Sequence, residues 1–184
     1  MKETITPDDI IDFWYSDEMR PRWFASTPQV DGDIRARFEQ VWHSAKTGEL
    51  AHWRNAPRGC LALAIVLDQF PLNMFRGETR SFSTEQAAVE TSKFAIAQGY
   101  DREIPVEQRG FLYLPLMHSE NLTDQDLSVQ MFEQPGLEGN LRWARHHREL
   151  VRKFGRFPHR NAILGRESSP EEIAYLASKE AFLG

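Results

Sequence analysis

At 184 residues, with 41% hydrophobic and 27% charged residues, the sequence has the balance of an ordinary globular chain and not of a disordered one. A formal net charge of -5 argues against nucleic acid as the default partner, and no apolar run approaches the roughly 20 residues that cross a bilayer. The one cysteine, Cys60, allows no internal disulfide, which fits a reducing, cytoplasmic setting, and Met1–Thr6 lacks the apolar stretch of a signal peptide.

Helix punctuation recurs along the chain. Thr6 is placed to cap a first helix, with Pro7 at its first position, Asp8 and Asp9 at the positive end of the dipole, and an apolar face of Ile10, Ile11, Phe13 and Trp14. A second helix is expected from about Gln29 to Thr47, where Val30, Ile34, Phe38, Val41 and Ala45 recur at helical spacing before Gly48. The third, from about Pro57 to Phe70, is apolar nearly all round, which predicts a central, buried helix. Ser83 with Gln86 reads as a capping box for a helix ending at Gly99. Pro105 opens another through Tyr113, and Pro115 is expected to break or kink it. Thr123 with Asp126 caps the next, to about Glu133. Asn140 begins an amphipathic helix that Gly155 stops after Phe154. Pro158 starts a short one closed by Gly165, and Ser169–Glu172 start the last.

No segment alternates with a period of two, and the Ala and Leu content of Cys60–Leu67 favours helix over strand. The expectation is therefore one all-α domain over residues 1–184. About eight to ten helices with short connections imply antiparallel hairpins, in a bundle or a helical array. No repeat of tetratricopeptide spacing is convincing.

Three segments concentrate polar chemistry. The first runs from Asp68-Gln69 through Asn73 to Arg76. A carboxylate at the end of the most apolar helix needs a partner, and Arg76 or Arg109 is the expected one. The second is His118-Ser119-Glu120, just past Pro115, where side chains can turn into a gap or cap the helix end. The third is Arg142–Arg166, with eight basic residues against Glu149 alone. It carries +7, so the remainder of the chain carries -12. Such asymmetry predicts either pairing with acidic helices or a bound anion. Within it, Pro158 places His159 and Arg160 in a first helical turn, where free N–H groups favour anions. His146 and His147 point about 100° apart on a helix, so no metal site is expected.

These residues resemble a bacterial family known only as domain of unknown function 924. The likeness is carried by Asp68-Gln69-Phe70-Pro71, Asn73 and Phe75-Arg76-Gly77, then by Phe111-Leu112-Tyr113 and Pro115–Glu120. It continues in Phe154–Asn161, Leu164-Gly165-Arg166 and Ser169–Glu172, with Phe13-Trp14 and Trp23-Phe24 near the start. The resemblance implies a tetratricopeptide-like all-helical fold and a basic residue where this chain has Leu72. It implies no activity.

The leading functional expectation is a pocket for a small anionic ligand, a carboxylate or phosphate. Asp68, Asn73, Arg76, Arg156, Arg160 and Asn161 would bind it, with His118, Glu120 and His159 as acid–base candidates and no cofactor. The alternative is an adaptor whose stacked helices clamp an acidic peptide or C-terminus, with RNA binding third. The two polar clusters, around His118 and His159, are expected to face each other across a common cavity.

Overall fold

The computed structural model describes residues 5–182; of the opening segment read above for a signal peptide, residues 1–4 lie outside it. Among the described residues there is no strand, and well over half are helical. Helix α1 is Pro7–Trp14, α2 Pro28–Lys46, α3 Pro57–Ala64, α4 Phe70–Met74 and α5 Glu85–Gln98. Then follow α6 Val106–His118, α7 Leu122–Phe132, α8 Glu138–Phe154 and α9 Pro170–Leu176. No helix is long and apolar enough to cross a membrane among these residues.

The third predicted helix continues past Phe70. Five residues of π-helix, Ile65–Gln69, join α3 to α4 without a break, and every residue from Gly59 to Pro71 is buried. This continuous rod is the centre of the molecule: α1, α5 and α6 pack on α3, and α2 packs on α4. Gly59 permits the close approach of the preceding turn, because a Cβ there would lie 1.8 Å from the Trp53 carbonyl oxygen. From α5 onward, chain neighbours pack pairwise, α5 on α6, α6 on α7 and α7 on α8. The main core fills the space between, with Trp14, Phe70, Phe75, Tyr113 and Phe132 fully buried. A smaller cluster of Leu150, Val151 and Phe157 lies under the C-terminal segment.

Caps decide several boundaries. Thr6 and Asp9 form the reciprocal box at α1, and Ser169 and Glu172 form another at α9. The expected Ser83–Gln86 box does not form. Thr84 precedes α5, and its hydroxyl turns inward, accepting from Trp42 Nε1 at 3.1 Å and donating to the Leu67 carbonyl at 2.6 Å. Pro71 has no N–H to offer that carbonyl, so the buried Thr84 meets a need the proline creates. Asn121, not Thr123, caps α7, accepting from the Thr123 and Asp124 N–H groups. Helix α8 starts at Glu138, ahead of Asn140.

Pro115 does not break α6, which runs on to His118. Pro115 withholds its N–H from the Phe111 carbonyl, but α6 runs only three residues further before its end. The carbonyls there find other donors, since the Gln125 amide reaches those of Met117 and Ser119, each at 2.7 Å. The fixed helix end holds His118 in place.

Candidate functional site

Asp68 lies on the π segment, which turns its carboxyl toward the C-terminal end of α6. The carboxyl is 3% exposed and the His118 imidazole 20%. His118 Nδ1 stands 2.8 Å from one carboxylate oxygen and 3.0 Å from the other, and the Gln69 amide donates to Asp68 as well. A carboxylate can only accept, so Nδ1 carries a proton and Nε2 is the nitrogen left for another partner. Nε2 makes no hydrogen bond among the described residues, yet it is not sealed from solvent. The expected arginine partner of Asp68 is corrected: Arg76 pairs with Asp31 and Asn73, while Arg109 donates to the carbonyls of Ile104 and Arg102. Both arginines sit where closer acceptors face them, whereas α6 ends directly over Asp68.

Of the cluster around residue 159, Arg160 alone reaches the cavity beside His118; the expected facing of Glu120, His159 and Asn161 across it does not occur. One Nη of Arg160 donates to the His118 carbonyl at 2.9 Å and the other to Glu85 at 2.7 Å, with the guanidinium lying on the Phe82 and Phe157 rings. Arg160 is buried and its Nε–H finds no partner among the described residues. Between these groups is a cavity of about 10 Å³, roughly the room one water needs, lined by Asp68, Leu72, Ser81, Phe82, Glu85, His118 and Arg160.

Only part of the predicted site reaches this cavity. Glu120 turns away from His118. Its carboxylate accepts from both Arg166 Nη groups, at 2.6 and 2.8 Å, and from the Phe157 N–H at 2.8 Å. Burial works to raise that carboxyl, but these donors bring it below the ordinary glutamate range. Asn161 ties Arg166 to Ser168, and Arg156 grips Glu172, whose carboxyl is held down to about 2 chiefly by that guanidinium. Asn73 bonds the Gln69 carbonyl and Arg76. His159 stacks near Phe157 and Phe182 with Nδ1 unpartnered, and burial, helped by Arg160, pushes it down to about 4. It is held neutral, away from the cavity lining.

The +7 stretch is internally paired. Arg145 meets Glu133, Arg148 meets Asp126 and Glu149, Arg152 meets Glu149, and Arg156, Arg160 and Arg166 meet Glu172, Glu85 and Glu120. Arg142 and Lys153 lie over the Trp143 and Phe154 rings. Among the described residues no three His, Cys, Asp or Glu side chains are grouped to hold a metal ion. Glu85, Ser81 and Phe82 are site residues that sequence reasoning missed. Glu85 looks like any acidic residue at a helix start, and no spacing relates it to His118.

Together these features define an all-helical protein with a carboxylate–imidazole pair at a water-sized cavity. The chain belongs to the family described as "Bacterial protein of unknown function (DUF924)", whose model matches residues 10–180. It is similar to the solved structure of a protein of unknown function, ATU0120 from Agrobacterium tumefaciens. The two are 37% identical with a TM-score of 0.88, over 93% of this chain and 96% of that one. No curated protein matches.

Proposed function

We propose that this protein binds a small anionic molecule at the Asp68–His118 cavity and performs acid–base chemistry on it. The observation that carries the reading is the Asp68–His118 contact. A buried carboxylate fixes the imidazole tautomer and leaves Nε2 free at a cavity, the arrangement a general base requires. Arg160, with an unpartnered Nε–H at the same wall, is the group that would meet a carboxylate or phosphate. The cavity itself has room for about one water, so the ligand would meet Nε2 from its solvent-accessible side. The unpaired, buried Cys60, whose thiol burial pushes up to about 11, suits a cytoplasmic setting. A tetratricopeptide-like adaptor for acidic peptides has less behind it, because the arginines it would use already face internal acids.

Thermal shift with millimolar phosphate, acetate and citrate tests the binding half. Stabilisation of the wild type that is lost in Arg160→Ala supports it, since only ligands favouring the native state raise its stability. No shift with any of the three overturns it.

A further inference from the structure

A second titratable group faces His118 across the cavity. Glu85 occupies the first position of α5 and shares the lining with Asp68, His118 and Arg160. Arg160 fastens the two sides together, one Nη on Glu85 and the other on the His118 carbonyl, and its planar fork fixes their spacing. Three polar atoms remain without partners among the described residues: Nε2 of His118, Oε1 of Glu85 and Nε of Arg160. A volume of about 10 Å³ accommodates one water, and a buried water commonly makes about three hydrogen bonds.

We infer that Glu85 is the second proton-carrying group of this site and exchanges a proton with His118 through one water held between Nε2 and the Glu85 carboxyl. The inference rests on the acid–base reading of the Asp68–His118 pair. Nε2 takes a proton from the bound molecule. The imidazolium then gives a proton to the water as the water gives one of its own to the Glu85 carboxylate. Imidazole and carboxyl end neutral, only N–H and O–H bonds have changed, and nothing is oxidised or reduced. The reverse transfer returns the proton, so the site suits a compound that loses a proton at one atom and regains it at another. Burial raises the Glu85 carboxyl above the ordinary range, Asp68 adds to the rise, and Arg160 and His118 oppose it, which makes Glu85 a readier proton acceptor than an exposed glutamate. The other charges bearing on His118 are Asp68 and Arg160, with the neutral-held His147 and His159 beyond.

Two measurements on the full chain test the relay. In a crystal structure at high resolution, one ordered water should lie within about 3.2 Å of both Nε2 and the Glu85 carboxyl. In an NMR titration with ¹⁵N-labelled histidine, Glu85→Gln keeps an oxygen for Arg160 but removes the charge. The His118 midpoint should then fall by about half a pH unit or more, and Glu85→Asp should recover part of the shift. A water touching only one group, or a midpoint within about 0.1 unit of wild type in a folded Glu85→Gln, overturns the relay. Asp68→Asn separates the two readings. If it moves the His118 tautomer or midpoint while Glu85→Gln does not, the relay alone falls. If Asp68→Asn changes neither, the acid–base pair falls and the relay with it.

Discussion

The cavity beside α6 and the C-terminal network beside α9 use the same residue types to opposite ends. In the C-terminal network each charge is answered: Glu120 takes three donors, Arg166 gives to Glu120, Asn161 and the Phe157 carbonyl, and Glu172 takes Arg156 as well as its own cap. Among the described residues the buried charges there face one another, and what stays open is a surface hollow of about 280 Å³ beside Lys153, Arg156 and Glu171. At the cavity the accounting stops short, with an imidazole nitrogen, a carboxylate oxygen and a guanidinium N–H unspent around one small volume. Polar density alone therefore does not mark a site. Leftover valence at an accessible void does.

The comparison is broken hardest at Glu120. Glu120→Ala leaves the buried Phe157 N–H without its acceptor and takes the carboxylate from Arg166, which keeps Asn161 and the Phe157 carbonyl, at a cost of about 2–4 kcal/mol for this partly buried pair. Chemical denaturation should show that loss with little change in the His118 titration. An equal disturbance of His118 would mean that the two regions are one unit.

Acid separates the regions next. Burial holds His147 down to about 3 and His159 down to about 4, so the unfolded chain binds more protons than the native one below the ordinary histidine value near 6.5. The stability these groups contribute is complete above about pH 6.5 and drains as pH falls toward 4, at about 1.4 kcal/mol per unit for each histidine. Glu120 and Glu172, held low, lose their contribution only further down, below the ordinary glutamate value. Glu85, raised, works in the other direction. A loss of about 2–4 kcal/mol between pH 7 and 5 is expected by urea unfolding, and removing His159 as His159→Phe should flatten it. A flat profile in the wild type would contradict the buried-neutral histidines.

Much of this architecture was legible in the sequence. Pro7, Pro28, Pro57, Pro105 and Pro170 stand at or beside helix starts, and the apolar run after Pro57 correctly announced the central rod. That Arg160 would reach the His118 end of α6 followed from its surplus of donors. Three things were not legible. Pro115 reads as a break, but α6 continues past it to His118, and Pro71 leaves the Leu67 carbonyl to the distant Thr84 hydroxyl. The π segment has no sequence signature, yet it decides that Asp68 turns to α6 and not toward an arginine. Glu85 is paired with a residue seventy-five positions away, a relation that no local pattern carries.

The smallest effect on stability is expected where the functional consequence is largest. His118→Gln keeps a donor that can reach Asp68, preserves the backbone carbonyl that Arg160 uses, and leaves a partly exposed position that tolerates a similar volume. The cost should stay within about 1 kcal/mol, as for one neutral hydrogen bond re-made imperfectly. Asp68→Ala should cost more, about 1–3 kcal/mol, because it strands the His118 Nδ1–H and the Gln69 amide and opens a gap beside the central rod. That figure is below the cost at Glu120, where a guanidinium loses its carboxylate, since the partner here is an imidazole. The order Glu120→Ala, then Asp68→Ala, then His118→Gln is the test, read from urea midpoints with unchanged slopes. A purely structural histidine would reverse the last two, because Asp68 would then serve only to hold His118 in the core. A histidine kept for its free Nε2 is replaceable for folding and irreplaceable for proton transfer.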